Sequence, residues 1–350
     1  MKQISFFDDL GIAGDALDDT PLHTGLVLKL TRAATPLVIA YGLGVDSTAV
    51  LVGLHQRGIR PDAILFADVG AEKRETYDYL PVIGAWLKSV GFPPVTVVRY
   101  VPEDFKNYPP YRTIEENCLT NGTLPSLAFG FKSCSLKWKV APQNRWTESW
   151  QPAVSAWRRG QRVLKVIGYD ASPKERKRYS HAIGLEDPQY RYWYPLIEWD
   201  WNRERCKDEI RKAGLPVPPK SACIMCPATT PDELREFRKS YLRRIVIIEA
   251  RAAPRLMGLW DQERMEAYNA ETYPKRLEKW AARCAGASAA GKALPAKPEP
   301  YRVGDGTAGL WRSPTKTHPA MMTEFIRSEG LLPSDEIDML IARAPTEILD

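Results

Sequence analysis

Between Leu37 and Tyr100 the chain alternates short, mainly apolar runs with longer segments whose apolar positions recur at helical spacing. Leu37–Tyr41, Ala63–Ala67 and Thr96–Tyr100 have the length and texture of buried strands. Ser47–Arg57 and Thr76–Val90 read as helices, each halted by the glycine that follows it, Gly58 and Gly91. Strands that alternate with helices must run parallel, and parallel sheets bind ligands at the carboxyl ends of their strands. Val163–Ile167 reads as a further strand, and Arg203–Ala213 as a helix closed by Gly214. Residues 101–160 lack either period and are rich in Pro, Asn and Trp. Past Pro231 the text is helical and basic to about Trp280, after which AGASAAGKALPAKPEP reads as a surface loop or linker. Residues 1–35 carry an acidic patch (Asp8, Asp9, Asp15, Asp18, Asp19) and little periodicity, as a capping arm would. The expected organisation is an arm (1–35), an α/β domain (36–235) and a mainly helical C-terminal extension (236–350).

The first strand runs straight into a glycine turn, and the turn straight into a helix: LVIAY-GLGVDST. The first N–H groups of a helix have no partner within it, and its dipole favours an anion there. Gly42, Leu43, Gly44, Val45, Asp46, Ser47 and Thr48 are therefore candidates to hold a nucleotide's phosphates. This segment resembles the SGGxDS signature of the PP-loop ATP pyrophosphatases, with Gly42 where that family has Ser and Leu43 where it has Gly.

Further blocks extend the resemblance, to the PAPS reductase-like branch of that superfamily. Asp68-Val69-Gly70 followed by Glu75-Thr76-Tyr77 is similar to an F-x-D-T-G…P-E-T-Y block, with Arg74 in place of Pro and Val69 in place of Thr. Ile167-Gly168-Tyr169-Asp170 and the basic run after it resemble a strand end that reaches the nucleotide. Asp170 stands where the family has an Arg. Gly168 admits close backbone approach, and Arg178, then Arg176, are the expected phosphate ligands. Cys134-Ser135-Leu136-Lys137-Trp138-Lys139 is like a C-[ST]-x-x-x-K block, and Tyr194–Trp199 like a PL-x-x-W segment. The resemblance spans Leu37 to about Pro231. It implies a Rossmann-like parallel sheet of the adenine nucleotide α-hydrolase type, binding ATP with Mg²⁺. Asp46, Lys137 and Arg178 would be catalytic, and Asp68 and Gly70 would lie at the nucleotide.

The chain has six cysteines, two of them in Cys223-Ile224-Met225-Cys226. Thiolates three residues apart on a turn reach one metal centre, and distant cysteines complete it. Cys134 and the C-x-x-C pair are the expected ligands, with Cys206 or Cys118 as the fourth. Iron–sulfur members of the family carry cysteines in these two regions, which implies a [4Fe–4S] cluster. A closed four-cysteine site would also suit Zn²⁺.

Composition narrows the partners. A net charge of +6 fits polyanion binding. Several of the eleven Trp stand beside Lys or Arg, as in Lys137-Trp138-Lys139, Arg145-Trp146 and Trp157-Arg158-Arg159. Such pairs serve base stacking next to phosphate contacts, and equally serve as half-buried Trp with cations snorkelling past them. No uninterrupted apolar segment is long enough for a bilayer and no signal peptide is evident, so a cytoplasmic protein without a membrane partner is expected.

Sulfonucleotide reductases use a thiolate in a C-terminal E-C-G-x-H segment, whereas the last cysteine here is Cys284 in RCAGAS. What the resemblance then implies is AMP- and pyrophosphate-forming transfer to an acceptor. The acceptor would be a nucleic acid, DNA or tRNA, with a cysteine desulfurase or another donor supplying sulfur. A reductase or sulfate-activating enzyme of altered architecture is the alternative, and a nucleotide sensor or nucleic-acid-binding component without turnover is the third reading.

Overall fold

A computed structural model describes residues 22–102, 110–184, 186–256, 262–302 and 306–344. The acidic positions of the N-terminal arm lie outside the described residues. Five strands, β1 (Leu37–Tyr41), β2 (Ala63–Asp68), β3 (Val95–Arg99), β4 (Val163–Ile167) and β5 (Tyr190–Trp193), pair in the order β3-β2-β1-β4-β5. Every pair is parallel. Helices cover the sheet, and the fold is α/β. The helices of this part are α1 (Thr24–Arg32), α2 (Val45–Gln56), α3 (Arg74–Ser89), α4 (Ala141–Ser149), α5 (Gln151–Arg158), α6 (Pro173–Ala182) and α7 (Arg203–Lys212).

The two-residue period of the strands decides which core each side chain joins. Leu37, Ile39, Tyr41, Ile64, Phe66, Leu164 and Val166 enter the larger core, with Leu26 and Leu30 of α1, Ile83 and Leu87 of α3 and Ile210 of α7. Val38, Ala63, Leu65, Val163 and Tyr190 face the other way, under Trp146, Trp150 and Trp157 of α4 and α5. Helix α2 has no polar face over most of its length. Val45 and the run Ser47–Leu54 are all buried, so it is a central helix.

Three stretches differ from their expected form. Thr24–Arg32 is helical, with Leu26, Val27 and Leu30 buried on one face, where an arm of little periodicity is expected. Pro173–Ala182, read as a basic loop, is helix α6, and it buries none of its residues. It therefore carries no hydrophobic period to betray it. Helix Gln262–Ala289 extends into the Ala/Gly stretch, since Ala is the best helix former and the break waits for Gly291 and Pro295.

The chain divides into two compact units, one of residues up to Val101 with Ser135–Cys223, the other of Pro102–Cys134 with Ile224 onward. The first holds the sheet. In the second, Ile114–Asn121, started by a Thr113/Glu116 capping box, packs with Lys239–Ala252. That helix also packs with Met322–Ser328 and Ser334–Arg343. The boundaries expected at residues 35 and 235 do not coincide with this division, because the 102–134 excursion groups with the C-terminal helices.

Candidate nucleotide site at the carboxyl ends of β1 and β4

Strand order reverses at β1, which pairs with β2 on one side and β4 on the other. Open parallel sheets hold ligands in the crevice at such a point. Register puts Ala40 beside Ile167, so the turn leaving β1 and Gly168 leaving β4 are neighbours. A Cβ built on Gly168 would lie 3.1 Å from Ser47 N and 3.2 Å from the Asp46 carbonyl carbon. Glycine lets the end of β4 come this close to the start of α2 without pushing the backbone there aside.

Helix α2 starts from Gly44 (φ −105°, ψ 178°) without a side-chain cap, so nothing from its own cap residue occupies its first N–H groups. Leu43 adopts φ +56°, in the left-handed region, and is fully buried in the larger core. The family's glycine at that position is conformationally apt; here burial of a leucyl side chain offsets a strain of about 1–2 kcal/mol. The hydroxyls lie within the turn. Ser47 Oγ accepts from Gly42 N–H and donates to the Gly44 carbonyl, both at 3.2 Å, and Thr48 Oγ1 lies 3.1 Å from the Tyr41 hydroxyl.

Asp46 is the polar centre of the site. Its Oδ2 lies 2.5 Å from Arg203 Nη1, and its Oδ1 is buried without a hydrogen-bond partner. Burial pushes its pKa above the ordinary carboxylate value; Arg203 opposes that, while Asp170 and Glu175 add to it. Arg203, the first residue of α7, is absent from the sequence-based candidates. Asn202 caps that helix through Arg205 N–H, so the N-x-x start of a helix after PL-x-x-W is the signal that would have located it. Asp170 accepts from Ser172 N–H and is buried, so it shapes the loop after β4.

The remaining expected ligands are distributed unevenly. Asp68 is fully engaged: it accepts from Gly70 N–H (2.8 Å), the Tyr77 hydroxyl (2.7 Å) and Arg99 Nε (2.9 Å). Burial raises its pKa, but these donors outweigh burial and hold it below the ordinary value. Arg178 Nη1 lies 2.9 Å from both oxygens of Glu175, with the guanidinium 4.9 Å above the Tyr169 ring. Arg176 donates to the Ala171 carbonyl and pairs with Asp200. Both cations stand on the loop side of Gly168, each already matched by a carboxylate.

Lys137 Nζ sits over the rings of Tyr100 (4.9 Å) and Trp138 (5.3 Å), past the end of β3 and two strands from the turn. Its neighbour Lys139 reaches inward instead and pairs with Glu72 at 2.9 Å. Glu72 is fully buried on its side chain, and Oε2 has no hydrogen-bond partner. The Lys220–Cys223 segment is joined to this place. Lys73 N–H donates to the Ala222 carbonyl, Cys223 bridges Glu72, and the Ser221 Cβ lies 3.5 Å from where a Gly44 Cβ would be. Glu72 and Lys139 were not among the expected residues, although the count in C-[ST]-x-x-x-K ends on Lys139.

No disulfide joins any of the six cysteines. Cys206 lies in the larger core with Sγ 3.9 Å from the Trp201 carbonyl, and burial drives its pKa far up. Cys118 is buried in the second unit, where burial and then Cys134 push its pKa up to about 12. Among the described residues no three His, Cys, Asp or Glu are gathered as ligands of one metal ion. Of the expected ligands, Cys206 and Cys223 belong to the first unit, and Cys134 and Cys226 to the second.

Trp146, Trp150 and Trp157 pack on the sheet and Trp138 is buried, which favours the snorkelling reading of the Trp–cation pairs over a stacking platform. No helix among the described residues is long and apolar enough to cross a membrane. No family model and no curated protein matches the chain.

Proposed function

We propose that the chain is an ATP-dependent, AMP- and pyrophosphate-forming transferase with a Rossmann-like nucleotide site of the PP-loop type. The observation that carries the proposal is the junction at the switch point. An uncapped helix N-terminus, a turn ending in a buried carboxylate, and a glycine from the adjacent strand meet where an anion is best held. The strand order β3-β2-β1-β4-β5 supports the same reading.

In the reaction, backbone N–H groups at the start of α2 hold the β- and γ-phosphates. An acceptor oxygen attacks the α-phosphorus, the bond between that phosphorus and the α,β-bridging oxygen breaks, and pyrophosphate leaves while the acceptor's proton passes to solvent. Asp46 Oδ1, buried and without a hydrogen-bond partner, would hold a Mg²⁺, which would supply charge neutralisation on the leaving group. Arg203 both orients Asp46 and brings a cation to the phosphates, the kind of fixed charge on which phosphoryl and nucleotidyl transfer depend. The adenylylated acceptor is then open to a sulfur nucleophile that displaces AMP. A nucleic acid is the acceptor class that suits the basic chain.

Incubating the full chain with ATP, Mg²⁺ and DNA or tRNA, and measuring AMP and pyrophosphate, tests this. ATP left intact with each nucleic acid overturns it. The pairing of Asp46, Arg176 and Arg178 with protein partners favours a second reading, a nucleotide-binding component without turnover. Tight ATP binding with no AMP formed would select it.

A further inference from the structure

On the open edge of the sheet a cavity of about 400 Å³ is bounded by β5, the end of α6 (Tyr179, Ile183) and the entry to α1 (Leu22, His23). It is not part of the turn described above. Its size is that of a site for one small molecule.

The register of β5 fixes what its backbone offers. Val163 N–H donates to the Gln189 carbonyl, and Val163 pairs with Tyr190. In a parallel ladder this turns the backbone groups of Arg191 and Trp193 toward β4, and those of Tyr190 and Tyr192 outward. Asp187 takes the Tyr190 N–H at 3.1 Å. Among the described residues the Tyr190 carbonyl and both backbone groups of Tyr192 remain, an acceptor–donor–acceptor row on two residues that line the cavity. That row matches the amino and ring-nitrogen edge of a nucleobase. It is the same exchange of hydrogen bonds by which an added strand would dock.

Side chains decide between the two. The walls carry Tyr179, Tyr192 and Tyr194, and the rings of Tyr179 and Tyr194 meet edge-on at 5.2 Å. Aromatic faces stack on any base. Arg162 and the buried Arg191 also line the cavity, as do Glu186 and Glu198, the latter accepting from Thr24 and Trp193 Nε1. A planar ring suits this wall better than an extended peptide, whose side chains a cavity of this volume would hold for only a few residues. Tyr194 lies 5.3 Å from the ring of Tyr169, the residue after Gly168.

We propose that the edge cavity on β5 binds the base of a nucleoside monophosphate unit, through the Tyr190 and Tyr192 backbone, as the acceptor pocket. Its role as acceptor pocket rests on the function proposed above; its preference for a nucleobase does not.

Calorimetric titration of the full chain with AMP, CMP, GMP and UMP tests the assignment, on wild type, Tyr192→Ala, Tyr192→Pro and Gly168→Val. Tyr192→Pro deletes the outward N–H at an edge position where proline is tolerated, and Tyr192→Ala keeps it. Binding is expected in wild type and in Gly168→Val, with Tyr192→Pro weaker than Tyr192→Ala by about tenfold, the value of one hydrogen bond. A wild-type chain labelled with ¹⁵N gives a second readout free of folding effects: the Tyr192 amide resonance shifts as the monophosphate is added. No binding at millimolar ligand, an unmoved Tyr192 amide, or binding lost in Gly168→Val and unchanged in Tyr192→Pro, overturns the proposal. Monophosphate binding with ATP unbound would instead overturn the reading of the turn and leave the cavity standing.

Discussion

Asp46 sits where function and stability pull apart. Its folded pKa is raised, chiefly by burial, so folding favours the protonated form. The stabilisation from that proton is fully present below the unfolded carboxylate pKa and is lost as pH rises through the raised folded value. At neutral pH the buried charge is therefore a cost to the fold, and Asp46→Asn is expected to melt no lower than wild type while forming no AMP. Parallel thermal melts and AMP assays at pH 7 check this; a clear drop in Tm would show that the Arg203 pair outweighs burial. Arg203→Ala removes the contacts that lower the Asp46 pKa. The acid limb of the ATP reaction should then move to higher pH, as a profile of initial rate against pH would report. The two departures from the PP-loop pattern also separate here. A Cβ on Gly42 would meet only Ser47 Oγ, at 3.8 Å, so Gly42→Ser fits without strain and is expected to tighten ATP by up to about tenfold through one added hydroxyl. Titration of both proteins with ATP measures it.

At the scale of elements, the strand–turn–helix at Leu37–Gln56 and the strand at Val163–Ile167 were legible because apolar runs, glycines and helical spacing agree there. Their junction was not. Nothing in the sequence says that β4 lies beside β1, yet that pairing is what brings Gly168 to the start of α2. Helix α6 buries no residue and so has no hydrophobic period, and β5 spans only Tyr190–Trp193, with Arg191 interrupting the aromatics. Lys137 and Lys139 take different directions because Leu136–Val140 forms a π-helical turn, and an altered turn redirects side chains in a way that spacing alone does not encode. The junction carries its own test. Gly168→Val forces a Cβ within 3.1–3.2 Å of the Ser47 and Asp46 backbone and adds two methyl groups. Overpacking of this kind costs about 1–3 kcal/mol of stability. Because the strain falls on the α2 N-terminus, ATP affinity should drop by more than the melting temperature implies, with the far-UV spectrum kept. Equal ATP affinity in the folded variant would remove the junction from the site.

Over the whole molecule, composition and pattern reached the sheet-bearing unit and stopped at the second. The C-terminal third reads as basic and helical, which locates helices such as Lys239–Ala252 and says nothing of what they enclose. At their centre is a charge that sequence rules place outside. Glu249 is fully buried, and its carboxylate accepts from Leu310, Met322 and Thr323 N–H and from the Thr323 hydroxyl, at 2.6–3.1 Å. One side chain thus ties the helix Lys239–Ala252 to the loop at Leu310 and to the first turn of Met322–Ser328, where it also serves as the missing cap. Burial alone would be prohibitive for a lone carboxylate, and four donors converging on two oxygens are what make it tolerable. Removal then costs more than the contacts themselves, because three backbone N–H groups are left buried and unsatisfied. Glu249→Ala is expected to lose about 3 kcal/mol or more. Glu249→Gln keeps one acceptor but turns an NH₂ toward the same donors, so it should recover only part of that loss. Urea unfolding of the three proteins, followed by tryptophan fluorescence, orders them. A Gln variant as stable as wild type would mean that shape holds this core, and that the charge does not.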